Sequence, residues 1–154
     1  MRLSEPLLAV RIIAGGGNSD MFGRMCRKLS QDGVNMVFAA MDSSCQPSFY
    51  LCCVARDDGS KATALLGDDD QLKDALSFYG PVGVVDLFPH QHRFLVLCHA
   101  SAVLAAEGIR VHGMASSLSA LSFVIDYKKM GKSAAALSKR FRLPAGNDAP
   151  CHLE

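Results

Sequence analysis

Short apolar runs alternate with amphipathic stretches along this chain of 154 residues. Residues 8–14 form the first run, and Gly15, Gly16, Gly17, Asn18 and Ser19 follow it, the pattern of a strand emptying into a turn and a helix cap. A helix is expected from about Asp20: Met21, Phe22, Met25, Cys26 and Leu29 share one face, Arg24, Arg27, Lys28 and Gln31 the other, and Gly33 supplies the stop. Residues 34–40 and 49–55 are rich in branched and aromatic side chains and read as two strands joined through the polar segment 42–48, with Asp57 and Asp58 ending the second. From Gly59 to Tyr79 the pattern is mixed, but Asp68 to Asp70 favour a helix start, and Leu72, Ala75, Leu76 and Tyr79 follow at helical spacing. Gly80, Pro81 and Gly83 precede a strand expected over 84–88, then a helix over 91–107 stopped by Gly108, strands over 109–115 and 120–126, and a helix over 128–142 before a tail.

The order strand, helix, strand, strand, helix therefore occurs twice. Leu29-Ser30-Gln31-Asp32-Gly33-Val34 lies over Leu104-Ala105-Ala106-Glu107-Gly108-Ile109 without a gap, at the constant shift that carries Gly33 onto Gly108. A period of this size fits a duplicated small domain rather than a solenoid, because one such unit covers one face of an antiparallel sheet with two helices. The expected architecture is α+β, two tandem ferredoxin-like βαββαβ units, over 1–80 and 81–143, with a tail at 144–154. A fourth strand is hard to find in the second half, so the halves are expected to share or exchange edge strands.

Bulk properties narrow the function. The chain is 49% apolar, enough for a real core, and its 16 Lys and Arg against 15 Asp and Glu give no net field that would draw nucleic acid or membrane. The six cysteines contain no C-x-x-C pair and several fall in apolar runs, so they read as reduced thiols of a cytoplasmic protein. Glu5 and Arg11 bracket the first apolar run, which fits neither a signal peptide nor a membrane span.

Gly108-Ile109-Arg110-Val111, then Ser116-Ser117, then Ser122-Phe123-Val124-Ile125-Asp126, with Gly33-Val34-Asn35-Met36 repeating the opening, resemble the tandem ACT domains at the regulatory end of aspartokinase. The resemblance spans roughly residues 8–143 and implies an ACT-type fold and allosteric amino-acid binding without catalysis, since the kinase portion is absent. Where such domains carry a D-R-P-G or similar turn, the first half reads Asp20-Met21-Phe22-Gly23 and the second Gln91-His92-Arg93-Phe94. The first keeps its aspartate and glycine; the second has neither.

By that resemblance an effector lies between the first turn and the following strand, with Gly17, Asn18, Ser19, Asp20, Met21 and Phe22 on one side and Val34, Asn35 and Met36 on the other. Backbone N–H groups at a helix start suit a carboxylate. Asp20 is a candidate partner for an ammonium group and equally a first-turn acid facing the helix dipole; the glycines are equally a plain flexible turn. His90, Gln91 and His92 occupy the corresponding place in the second half and are candidate ligand contacts.

Other chemistries fare worse. His90, His92, Cys98, His99 and His112 have imidazole and thiol groups but no diagnostic zinc spacing, so neither a metal nor any other cofactor is expected. No nucleophile and base are paired by spacing. The basic stretch from Lys128 to Arg142 lacks aromatic platforms and reads as a solvated helix face rather than a nucleic-acid site. The helix over 91–107 is apolar around most of its circumference and so needs two partners, from which a homodimer is expected. The expected function is amino-acid sensing that regulates an enzyme; the alternative is a dimerisation or protein-interaction module that binds no ligand.

Overall fold

The computed structural model describes residues 1–15, 20–42, 44, 47–88, 94–117 and 119–141. Its strands are β1 (Arg2–Leu3), β2 (Leu7–Ala14), β3 (Met36–Asp42), β4 (Ser48–Ala55), β5 (Leu76–Leu87), β6 (Val111–Ser116) and β7 (Leu121–Asp126). Its helices are α1 (Met21–Gln31), α2 (Gly59–Gly67), α3 (Phe94–Ala106) and α4 (Met130–Phe141). Two compact units result, Pro6–Pro81 and Met1–Glu5 together with the described residues from Val82 onward.

In the unit of residues 6–81 the strand order is β3-β4-β2-β5, the ferredoxin-like arrangement. Strands β2 and β4 pair antiparallel without interruption from Leu7 opposite Ala55 to Ala14 opposite Ser48. Alternation sends Val10, Ile12, Tyr50, Cys52 and Val54 to the side of the helices, where they form one core with Met25 and Leu29 of α1 and Ala62 and Leu66 of α2. Burial pushes the Cys52 and Cys53 thiols up to about 12, so both pack as small hydrophobes.

The other unit orders its strands β6-β7-β5, and its fourth strand is β1. Arg2 lies opposite Asp86 and Leu3 opposite Val85. The pairing continues at Ser4, whose N–H donates to the Val84 carbonyl while its hydroxyl accepts from the Val84 N–H, both at 2.9 Å. Asp86 accepts from the Ser122 hydroxyl at 2.6 Å and forms an ion pair with Arg2 at 3.1 Å, tying β1 to β5 and β7. The strand that the second repeat lacks in its own stretch of sequence thus comes from the other end of the chain. So short a run is too brief to announce itself by alternation.

The duplication reaches individual hydrogen bonds. Gly33 donates to Ser30 and Val34 to Leu29; at the equivalent places one repeat later, Gly108 donates to Ala105 and Ile109 to Leu104. Both glycines are left-handed, φ 70° and 63°, where a β-carbon would be strained. A bulge between Met36 and Phe38 is matched by one between Val111 and Gly113, again at the shift that relates the two glycines.

One expectation fails. Residues 68–79 form no helix; α2 lies earlier, and Leu76 to Tyr79 belong to β5. Leu72 does enter the core, fully buried, but it arrives there on consecutive turns held by bonds such as that from the Leu72 N–H to the Asp69 carbonyl. The last helix also starts later than expected, because Tyr127 to Lys129 form a 3₁₀ turn.

Removing residues 1–5 should leave the amides of β5 near Val84 without partners. Expected is a loss of about 1–3 kcal/mol of stability and faster hydrogen exchange at Val84, with protection along β2 and β4 retained.

Candidate functional site

Strand β2 ends at Ala14 and α1 begins at Met21, and the glycine-rich stretch lies between them in sequence. Gly17, Asn18 and Ser19 lie outside the described residues, as do His90, Gln91 and His92 at the corresponding turn of the second half. The remaining candidates can be placed.

Asp20 is the residue before α1, yet its carboxylate does not cap the helix. It accepts instead from the Arg27 guanidinium, in an ion pair whose side chains are both well exposed. A β-carbon at Gly23 would sit 2.5 Å from the Asp20 carboxylate, which gives the Asp-x-x-Gly spacing a steric reason: the glycine makes room for the acid folded over the first turn. Phe22 stacks on Tyr50 of β4, ring centres 5.6 Å apart, and Met21 packs against the same core. These two side chains therefore orient α1.

Across the unit, Val34 is 4% exposed and belongs to the core, whereas Asn35 and Met36 are exposed at the start of β3. Of the described candidates, Asp20, Asn35 and Met36 offer surface to a ligand; Val34, Met21 and Phe22 serve mainly to hold the elements in place.

Sequence reasoning missed the group that fixes α1 from below. The Asp69 side chain is fully buried and accepts from Arg24 Nε at 2.7 Å, from Lys28 Nζ at 3.1 Å and from the Gln71 N–H at 3.0 Å. Burial alone would raise its pKa, but these hydrogen bonds outweigh burial and hold the carboxyl at about 2. The acids at 68–70 that looked like a helix start thus include the anchor for the polar face of α1.

The other suggested chemistries can be partly placed. His112 Nε2 lies 2.9 Å from an Asp126 carboxylate oxygen, and His99 lies beside Arg140. No group of three or more His, Cys, Asp or Glu side chains among the described residues is arranged to hold a metal ion. In the basic stretch, Lys132 pairs with Glu107 at 3.0 Å. No helix among the described residues is long and apolar enough to cross a membrane.

Solved structures provide a close geometric match. The aspartokinase α and β subunit structure superposes with a TM-score of 0.82 at 16% identity, over 92% of this chain and 97% of that one. The fold is that of aspartokinase regulatory subunits. The ligand-free regulatory subunit of aspartate kinase from Thermus thermophilus gives a TM-score of 0.79 at 13% identity, over 91% of this chain and 96% of that one. Aspartate kinase from Synechocystis matches over 96% of this chain but only 27% of its own, at 19% identity and a TM-score of 0.79. No protein-family model and no curated protein matches the sequence.

The Asp69 anchor carries a pH signature. Its folded pKa is depressed, so its contribution is present above the unfolded carboxylate value and disappears as pH falls toward 2. With Arg24 and Lys28 partly exposed and screened, Asp69→Asn is expected to cost about 1–2 kcal/mol near neutrality. Urea titrations should show the gap between wild type and variant closing between about pH 5 and pH 2.

Proposed function

We propose that this chain is a regulatory protein of the cytoplasm that binds an amino acid or related small metabolite and acts as an allosteric sensor, without catalytic activity of its own. The observation that carries this reading is the match to an aspartokinase regulatory subunit over more than nine tenths of both chains. The effector would lie against the turn before α1 and the start of β3, its carboxylate on the amides of residues 17–19 and its ammonium on Asp20. Asn35 would supply an amide and Met36 an apolar wall. Asp20 already holds Arg27, so a ligand ammonium would compete with or join that pair. The response is then a shift between two arrangements that bind the ligand unequally, transmitted to a regulated enzyme. Lysine, threonine and methionine are the natural first candidates.

A second reading has its own support. Strand β3 is an edge strand whose Met36, Val37 and Met41 are 38%, 50% and 57% exposed, and α3 has no charged residue while Leu95 is 63% exposed. Apolar edges and faces of this kind suit an association module. Both readings include a homodimer.

Thermal denaturation with each common amino acid separates them. The sensor reading expects one amino acid at about 100 times its Kd to stabilise the protein by roughly 2.7 kcal/mol, and Asp20→Asn to abolish that gain; no response across the panel favours the association module. Light scattering is expected to give twice the chain mass, and a monomer at micromolar concentration would contradict the dimer.

A further inference from the structure

At the far end of β2 from the glycine turn, the same unit has an open cleft of about 630 Å³, within the range of small-molecule sites. Leu8, Ala64 and Pro81 give it apolar walls, and Arg56 is its one charged lining residue. The Arg56 guanidinium has no hydrogen-bond or ion-pair partner among the described residues. Ser60 adds a hydroxyl beside the start of α2, a helix whose first turn has no side-chain cap. Asp57 and Asp58 follow Arg56 on the same 3₁₀ turn but do not line the cleft.

The duplication supplies an internal control. Counting from the equivalent 3₁₀ turns, Arg56 corresponds to Tyr127 and Gly59 to Met130, while Leu8 of β2 corresponds to Gly83 of β5. In the second unit Met130 is 6% exposed and so close to Gly83 that a β-carbon there would lie 2.7 Å from its sulfur. Tyr127 packs onto the core of that unit. In the first unit the large and small partners are exchanged: Leu8 rests against Gly59, where an added β-carbon would be 3.4 Å away. The scaffold thus closes this position with a methionine and a tyrosine in one copy. In the other, Leu8 covers Gly59, and Arg56 lines the cleft with no hydrogen-bond or ion-pair partner among the described residues.

We infer that the cleft beside Arg56 is a second ligand site, for a small organic carboxylate with an apolar body and no ammonium group. Arg56 binds the carboxylate, and the walls take the hydrocarbon. No acid lines the cleft to receive an ammonium, which sets this site apart from the one at Asp20. The two lie at opposite ends of an eight-residue strand, about 20 Å apart at ~3.3 Å per residue.

The test is an amide-resolved NMR titration of the full chain with 4-methylpentanoate, its neutral amide 4-methylpentanamide, and L-leucine. Expected are saturable shifts at Gly59, Ser60 and Thr63 with the carboxylate, at least tenfold weaker binding of the amide and of leucine at those positions, and a tenfold or greater loss in Arg56→Gln. Arg56 is exposed, so that variant keeps the fold and the remaining spectrum serves as the check; Ala64→Phe, which fills the hollow, should weaken binding similarly. The inference is overturned by an absence of saturable shifts there up to about 20 mM, by equal binding of acid and amide, or by an unaffected Arg56→Gln. Shifts with the carboxylate confined to Gly15 and Asp20 would also overturn it, and would leave the sensor reading standing.

Discussion

The ladder between β2 and β4 is the constraint on which the first unit depends. Its register runs unbroken through all eight residues of each strand, so a slip of one residue would exchange every inward side chain for its outward neighbour. Both faces resist such a slip. Val10, Ile12, Cys52 and Val54 are buried beneath the helices, and Leu7, Ala9, Leu51 and Cys53 are buried on the opposite face. The ladder also sets where the two proposed sites fall: its Ala14 end leads toward Asp20 and α1, and its Leu7 end lies at the cleft beside Arg56.

Duplication shows which features belong to the scaffold and which are free to vary. The left-handed glycines, their paired hydrogen bonds and the bulge early in the second strand of each repeat recur at one shift, so the geometry of helix end and edge strand is common property. The contact between first strand and second helix is kept differently, by exchanging which partner is large: Leu8 with Gly59 in one copy, Gly83 with Met130 in the other. Packing needs the combined volume, not a given residue at a given place. The copies differ instead at the neighbouring position: Arg56 lines a cleft in the first unit, whereas Tyr127 at the equivalent place packs onto the core of the second.

Much of this architecture was legible in the sequence because its signals are local. Glycine after an amphipathic stretch marks a helix end, and two such endings, at Gly33 and Gly108, reveal the repeat. The failures involve partners distant in sequence. Leu72, Ala75, Leu76 and Tyr79 mimic a helical face, but the buried Asp69 that shapes this stretch is held by Arg24 and Lys28, which arrive on α1 from much earlier in the chain. Strand β1 is very short and acquires meaning opposite Val85 and Asp86. At the candidate site, Asp20 and Gly23 were visible as a motif, whereas Arg27 as the acid's partner and the burial of Val34 in the core became evident only in three dimensions. Arg56 carried no motif, since its cleft gathers residues from Leu7 to Pro81.

The most direct measurement is a crystal structure of the protein grown with the amino acid that stabilises it most. The expected result is that amino acid bound at the turn before α1, its ammonium within hydrogen-bonding distance of Asp20 and its body beside Asn35 and Met36. An amino acid seated elsewhere with that turn empty would contradict the sensor described here.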